Sequence, residues 1–329
     1  MNGLRLRQSS GIRSLLAETH LLPSQLIMPI FVHEGLSEPK EIPSMPGIFQ
    51  LPISHCVQEV ETLIKLGINT AILFGIPQHK DERGSAASSP QGGVQQAIRK
   101  IKAAFPQFVL IADCCLCEYT RHGHCTVFND AGHIDLRKTL AHLGEIAVSY
   151  AQAGADIIAP SGMLDGMVSA IRNSLDVHQF SHTLIMSYAV KYASAFYGPF
   201  RDAGGSELGK CDTLYPDRKH HQMNPSQSRE ALQEAEIDIR EGADILMVKP
   251  ALPYLDILSS LSHTTNHPLA AYQVSGEYAM IKAAAQKGWL NEADAIHESL
   301  IAIRRAGATM IITYFAKEWA SGQSFTSIA

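Results

Sequence analysis

Short apolar runs recur along the chain and alternate with stretches of helical spacing. The runs are continuous, as in parallel strands that are buried on both faces. Eight of them are predicted to be strands, at residues 27–32, 70–75, 108–112, 156–159, 184–188, 244–248, 269–274 and 309–314. The intervening stretches with helical apolar spacing include residues 57–66, 94–104, 140–153, 229–240 and 293–305.

Three predicted helices end in the same way, with a glycine shortly before the next strand. Gly154, Gly242 and Gly307 stand where a helix C-cap adopts the left-handed conformation. Eight strands that alternate with helices predict an α/β fold, a (β/α)8 TIM barrel. A doubly wound open sheet is the alternative, but no glycine-rich phosphate fingerprint follows the first strand.

Residues 1–25 hold scattered arginines and no strong period, which predicts an extended N-terminal arm ahead of a catalytic barrel at residues 26–329. The chain is 46% hydrophobic and 18% charged, as expected of a globular protein with a large core. Its net charge of -5 gives no reason to expect nucleic acid. No apolar run approaches the ~18 residues of a membrane span. The basic N-terminus lacks the apolar segment of a signal peptide, so we expect a cytoplasmic protein.

Polar side chains follow most of the predicted strands. In (β/α)8 barrels the chemistry lies at the C-terminal ends of the strands. The residues there include two lysines, an acid and several hydroxyls, namely Asp113, Ser161, Tyr188, Lys191, Lys249, Ser275 and Tyr314. We therefore expect these side chains to converge on one site.

Lys249 ends the apolar strand predicted at residues 244–248. Its ammonium either reaches water past apolar surface or is a Schiff-base amine whose pKa is lowered by burial. Lys191 by itself is typical of a solvated helix residue. If both lysines share a pocket, each charge disfavours the other, and at least one pKa falls toward neutrality. Two amines in one pocket suit a reaction that handles two carbonyl groups.

Six cysteines occur in the chain, and four of them fall within residues 114–125. A disulfide framework is unusual in a chain of this size without a secretory signal. Cys115, Cys117 and Cys125 are predicted to bind zinc, with reduced thiols as the alternative. From spacing alone, Cys114, His122 and His124 compete as ligands.

Arg201 and a basic run at residues 217–222 suggest a second function at the same end of the barrel. They are either a solvated loop or a clamp for a substrate carboxylate, because guanidinium pairs with carboxylate through two hydrogen bonds. Lys219 and Gln222 are the candidate substrate contacts in the run. Residues 204–206 and 212–216 are expected to form a flexible lid. Ser275 and Tyr314 are neutral hydroxyls that suit a second carboxylate.

Taken together, these runs resemble the 5-aminolevulinate dehydratase (porphobilinogen synthase) family. The resemblance covers nearly the whole chain and is carried by residues 29–32, 113–125, 191–201, 247–250, 271–278 and 312–316. It implies a barrel with an N-terminal arm, a homo-octamer, and the condensation of two 5-aminolevulinate molecules into porphobilinogen in tetrapyrrole (heme) biosynthesis.

The resemblance also implies roles for the two lysines. Lys249 would form a Schiff base with the substrate molecule whose carboxylate contacts Ser275 and Tyr314. Lys191 would bind the second molecule, which is held by Arg201, Lys219, Asp113 and Ser161. A lysine imine suits this chemistry because it acidifies the carbon beside the former ketone.

Two metals are implied as well. Zinc on Cys115, Cys117 and Cys125 would act as a Lewis acid or assist proton transfer near the second substrate. Glu234 matches an allosteric magnesium position, with a solvated helix glutamate as the alternative.

The chain departs from the family's common pattern at Gly162 and Met167, where many members carry an aspartate and an arginine. Two rival functions stay open. One is another Schiff-base aldolase of the same fold, which would need one lysine and no cysteines. The other is a zinc-holding scaffold without turnover.

Overall fold

The computed structural model describes residues 3–208 and 214–322, which form a closed parallel barrel with helices around it. Residues 212 and 213 of the predicted lid, and Cys211, lie outside the described residues. The strands within those ranges are β1 Leu26–His33, β2 Lys40–Glu41, β3 Phe49–Pro52, β4 Thr70–Ile76, β5 Val109–Cys114, β6 Ile157–Pro160, β7 Leu184–Lys191, β8 Ile245–Lys249, β9 Leu269–Gln273 and β10 Met310–Thr313.

The barrel consists of β1 and β4 to β10, each parallel to its neighbours, and it closes where β10 pairs with β1. The (β/α)8 prediction is therefore confirmed. The predicted strands agree with these eight to within a few residues. The strands β2 and β3 form a small hairpin outside the ring, in which β3 pairs with residues 31–33 of β1, further along that strand than the residues that pair with β10.

The helices of the described residues are α1 Ser10–Leu15, α2 Cys56–Lys65, α3 Gly93–Ala104, α4 Leu136–Ala153, α5 Met167–Val177, α6 Gly198–Gly204, α7 Arg229–Glu241, α8 Leu255–Thr264, α9 Ser275–Gln286, α10 Glu292–Arg305 and α11 Ala316–Gly322. The three predicted capping glycines have φ values of +105° at Gly154, +104° at Gly242 and +115° at Gly307. No helix in this part of the chain is long and apolar enough to cross a membrane.

The core lies inside the barrel and between the barrel and its helices. In β1 seven of eight residues are buried, and in β8 all five are buried. Continuous burial of this kind requires apolar side chains on both faces of a strand, which explains why the strands appear as unbroken apolar runs.

Residues 3–25 precede β1 and contain the short helix α1. Leu4, Leu15 and Leu16 in this segment are 71%, 83% and 49% exposed. The segment thus leaves leucines outside the core, as expected of an arm, whereas its contacts with other subunits stay a prediction.

Candidate active site

The two lysines predicted at the strand ends lie side by side. Lys191 on β7 and Lys249 on β8 are register partners across neighbouring parallel strands. Both side chains are buried, at 7% and 5% exposed. The ring of Tyr188 lies beneath both ammonium groups, with its centroid 5.5 Å from Lys191 Nζ and 5.0 Å from Lys249 Nζ. The amines therefore share one pocket.

An irregularity in β7 produces this pairing. Ser187 pairs with Leu246, but Val190 pairs with Val248, so that β7 contains one residue more than β8 over this interval. Uninterrupted pairing would have placed Val190 opposite Lys249. Side chains alternate between the faces of a regular strand, and Tyr188 and Lys191 would then point in opposite directions. The extra residue brings both toward the inside of the barrel.

Aromatic rings surround the Lys249 amine. Its Nζ lies 4.2 Å from the ring centroid of Tyr272 and 5.2 Å from those of Tyr197 and Phe200. Ring faces attract a cation, but they replace only part of the stabilisation that water gives to an ammonium group. Burial, followed by the charge of Lys191, lowers the pKa of Lys249 to about 7. A large share of Lys249 is therefore free amine at neutral pH.

Lys191 is held by the segment that follows β6. Its Nζ donates a hydrogen bond to the Ser161 carbonyl oxygen at 2.5 Å, and Ser161 Oγ donates to Asp113 Oδ2 at 3.1 Å. The other carboxylate oxygen of Asp113 is buried without a hydrogen-bond partner among the described residues. Burial, with the nearby acid Glu118, raises the pKa of Asp113 well above its usual value. A protonated Asp113 can donate a proton or a hydrogen bond to a bound molecule.

The three predicted cysteines form a buried cluster. The Sγ atoms of Cys115, Cys117 and Cys125 lie within 4.8 Å of one another, and those of Cys115 and Cys117 are 3.3 Å apart. Hydrogen bonds from the Cys117 and Cys125 thiols lower the pKa of Cys115, and the same bonds raise the pKa values of the two donors. Thiolates bound tetrahedrally to one zinc at ~2.3 Å lie roughly 3.8 Å apart. The cluster fits such an ion.

Two of the competing ligands, Cys114 and His122, have other partners. Cys114 Sγ donates to the Leu143 carbonyl oxygen at 3.6 Å. The His122 ring bonds to the Glu82 carbonyl oxygen through Nε2 and to the His124 backbone N–H through Nδ1. The geometry thus selects three thiols from the alternatives that spacing left open.

One narrow cavity joins the lysines to the cysteines, with free space of about 30 Å³. The predicted residues along its wall are Asp113, Cys117, Cys125, Ser161, Lys191, Arg201, Gln222 and Lys249. Tyr314 and Ser275 lie one contact further away. The Tyr314 hydroxyl is 3.0 Å from that of Tyr272, and Ser275 Oγ accepts from the Phe200 N–H at 2.9 Å.

The structure does not bring Lys219 to this cavity. Its side chain is 77% exposed and lies 3.7 Å from Asp217. The neighbouring Arg218 lines the cavity instead, and is 8% exposed. It donates to the carbonyl oxygens of Gly123 and Ser206 and lies close enough to Arg201 to lower the pKa of that residue, in addition to the effect of burial. Arg218 was not among the predicted contacts, because residues 217–222 have no regular period that would separate inward from outward side chains. Lys219 as a substrate contact stays a prediction.

Glu234 lies elsewhere, on the wall of a second cavity of about 570 Å³ that also holds Lys219. Burial and the charges of Asp165 and Glu230 raise the pKa of Glu234. Among the described residues, these carboxylates do not form a cluster of metal-ligand geometry like that of the cysteines.

Comparison with known proteins identifies the family of the chain. The family model for delta-aminolevulinic acid dehydratase matches residues 2–322. The chain belongs to the delta-aminolevulinic acid dehydratase family. It is accordingly an enzyme of the hydro-lyase class.

Two relatives in this family illustrate the similarity. The delta-aminolevulinic acid dehydratase of Archaeoglobus fulgidus is 53% identical over 315 residues, which is 96% of each chain. That of Bacillus subtilis is 51% identical over 314 residues, or 95% of each chain. A solved dehydratase from Toxoplasma gondii ME49, in complex with the product porphobilinogen, has a TM-score of 0.94 and 43% identity; the match covers 100% of this chain and 95% of that one.

Proposed function

We propose that this dehydratase condenses two molecules of 5-aminolevulinate into porphobilinogen through Schiff bases on Lys249 and Lys191. The observation that carries the proposal is the pairing of two buried lysines across neighbouring strands of one cavity. An aldolase that uses one Schiff base has no need for the second amine. Two amines can hold two ketones next to each other, and proximity of this kind removes a large part of the entropic barrier to condensation.

The first step follows from the state of Lys249. Its free amine attacks the ketone carbon of one substrate molecule, a C–N bond forms, and the ketone oxygen leaves as water. The resulting imine acidifies the adjacent carbon, which prepares C–C bond formation with the second molecule. One C–C bond and one C–N bond join the two molecules, and two waters are lost overall.

The second molecule would occupy the part of the cavity between Lys191 and the cysteines. Asp113 and Ser161 would orient it, and Asp113 in its protonated form can supply a proton. Arg201 and Arg218 provide guanidinium groups for its carboxylate. Lys219 stays a predicted contact that would require its loop to rearrange. We propose that Ser275 and Tyr314 bind the carboxylate of the first molecule. Gln222 lies on the wall between the two cavities.

A zinc ion on Cys115, Cys117 and Cys125 would supply Lewis acidity beside the second substrate. The buried thiols and the adjacent Arg218, which offsets their negative charge, support this assignment. Magnesium at Glu234 stays a prediction, as do the homo-octamer, the cytoplasmic location and the place in heme biosynthesis.

The test is porphobilinogen formation from 5-aminolevulinate by the purified chain, before and after zinc chelation and after zinc is returned. Activity that is lost and then restored would support the reaction and the metal. K191M and K249M are each expected to abolish product, whereas K287M, which removes an exposed lysine, serves as the matched control. Product formation that survives chelation would refute the zinc assignment. Product formation in K249M would refute the role of the amine.

A further inference from the structure

His221 lies two residues before Met223, whose backbone pairs with that of Lys191, and it has no role in the chemistry described above. The chain near His221 runs along the end of β7, because the Met223 N–H donates to the Lys191 carbonyl oxygen at 3.0 Å. The Ala193 N–H donates in turn to the Met223 carbonyl oxygen at 2.9 Å. These two bonds fix the backbone of residues 221–223 against the strand that carries the second amine.

The His221 ring has a defined tautomer. Its Nδ1 lies 2.6 Å from the Gly162 carbonyl oxygen. A carbonyl oxygen can only accept, so Nδ1 carries the proton and Nε2 presents a lone pair. This Nε2 atom is buried and has no hydrogen-bond partner among the described residues. An unsatisfied buried acceptor is costly. A donor that reaches Nε2 in another state of the site would remove that cost.

The electrostatic surroundings keep this ring neutral. Burial, followed by the charges of Lys191 and His220, lowers the pKa of His221 to about 3, while the Gly162 bond and Cys115 oppose the shift. An imidazole of that strength does not remove a proton from an ammonium group near neutral pH. It accepts a hydrogen bond instead.

A neutral primary amine has two N–H bonds and one lone pair, and it attacks a carbonyl through the lone pair. The Ser161 carbonyl oxygen already accepts one N–H of Lys191. A second acceptor would orient the lone pair toward the cavity that Lys191 lines. Gly162 anchors His221, and Ser161 anchors Lys191, so consecutive residues after β6 hold the two groups together.

We propose that His221 is a positioning residue for Lys191, in which Nε2 accepts the second N–H of the neutral amine and directs its lone pair at the ketone of the second substrate. This inference rests on the proposed function. As the N–C bond forms and the C–O bond breaks, the two amine protons leave with the ketone oxygen as water. The imine nitrogen then needs neither acceptor.

The test measures imine formation at each lysine separately. The zinc-supplemented chain is mixed with 5-aminolevulinate and borohydride, and the reduced adducts on the Lys191 and Lys249 peptides are quantified by mass spectrometry over time and at several pH values. H221N retains a donor for Gly162 but lacks the distant acceptor. H182N removes an exposed histidine outside the site and is the matched control.

We expect H221N to slow adduct formation at Lys191 about tenfold, the loss of one well-placed hydrogen bond, at every pH tested. The adduct at Lys249 should form at the native rate, which also shows that the barrel is intact. H221Q, which returns an acceptor oxygen, should recover part of the rate. H182N should match the native chain at both lysines.

Equal rates at Lys191 in the native chain and H221N would overturn this inference and leave the proposed function standing. A defect that disappears at alkaline pH would also overturn it, because that result indicates a base rather than a hydrogen-bond acceptor. If the native chain forms no adduct at Lys191, the proposed function fails and the role of His221 fails with it.

Discussion

At the scale of single residues, the site concentrates groups that are costly to bury. Lys249 is surrounded by rings and is 5% exposed, and the fold keeps it at the expense of its charge. A lysine whose pKa is about 7 when folded and ~10.4 when unfolded binds fewer protons in the folded state between those values. The folded state is therefore penalised most at and below pH 7, and the penalty disappears as the pH rises toward 10.4.

Replacing this lysine should separate stability from activity. K249M should raise the free energy of unfolding by about 3 kcal/mol near pH 7, and by much less near pH 10, because it removes a buried amine that must lose its charge. Chemical unfolding at the two pH values measures the difference, with K287M as the exposed control. A K249M chain that is less stable than the native one at pH 7 would contradict this account.

The zinc assignment can be tested by comparing a cysteine inside the cluster with one outside it. C125S should weaken zinc binding by more than about 100-fold, because it removes one of three buried thiols. C114S should bind zinc as the native chain does, since Cys114 points to the Leu143 carbonyl oxygen and serine keeps that donor. Zinc content after dialysis against a graded chelator distinguishes the two variants. Equal loss of zinc from both would rule out the assigned ligand set.

Residue types with unusual chemistry could be predicted from the sequence, and their neighbours could not. Lysines at the ends of apolar strands and thiols two apart are unusual, so the pattern made Lys249, Cys115 and Cys117 candidates, while a water-reaching lysine and other metal ligands stayed open as alternatives. Arg218 and His221 lie on an irregular loop, where the sequence gives no indication of which side chains point inward. The position of Lys191 depends on an extra residue in β7 that no periodicity reveals.

At the scale of elements, α6 and the residues after it are held over the cavity by three separate parts of the fold. Gln50 on β3 donates to the Ala203 carbonyl oxygen at 2.7 Å, Lys80 donates to that of Gly205 at 2.5 Å, and Arg218 donates to that of Ser206 at 2.6 Å. The 30 Å³ of free space beneath them is several times smaller than one substrate molecule. Admission of substrate therefore requires that these residues move outward.

The junction of α9 with residues 195–197 offers a test of packing beside the site. A Cβ on Gly276 would lie 2.5 Å from the Phe196 carbonyl oxygen, a backbone atom that cannot rotate away. G276A should destabilise the fold by about 2 kcal/mol and reduce activity, because Ser275 at the start of α9 must shift away from the Phe200 N–H.

Gly198 provides the matched control for that substitution. A Cβ there meets no atom within 4 Å, and its φ of -50° is helical. G198A should therefore change the free energy of unfolding by less than about 1 kcal/mol. A small increase is expected rather than a decrease, because alanine restricts the unfolded chain. Thermal unfolding and product formation compare the pair. A G276A chain as stable and active as G198A would show that the junction is not rigid.

The sequence pattern predicted strands and helices correctly where the side chains of an element are buried in a regular way. The eight barrel strands have apolar runs that no other structure explains as well, and the long helices have a clear apolar face. The hairpin of β2 and β3 escaped prediction because its strands are short and largely exposed, so neither carries an apolar run. The helical stretches named from the sequence also do not include α1, α5, α6, α8, α9 and α11.

At the scale of the whole molecule, the segment before β1 presents apolar surface to solvent. Its exposed leucines are distributed over residues 4–22. A protein surface normally carries such residues singly, and a series of them indicates an interface. We expect this segment to contact other subunits.

Positive charges introduced on this surface should change the assembly without unfolding the barrel. The double substitution L15K and L16K should reduce the particle mass measured by sedimentation, while the circular dichroism spectrum stays that of the native chain. V177K alters an equally exposed apolar residue, 79% exposed, on the barrel itself and should leave the mass unchanged. An unchanged mass in the double variant would contradict a role for the arm in assembly.

The extra residue in β7 has a consequence for the comparison of distant relatives. Beyond this extra residue, the pairing of β7 with β8 decides which residue of β7 lies opposite Lys249. The number of residues counted from the start of β7 does not. Chains that differ by one residue between Met186 and Val190 can therefore place the same two amines side by side. An alignment that forbids a gap inside a strand would pair Lys191 with the wrong residue in such relatives, and the second amine would be overlooked.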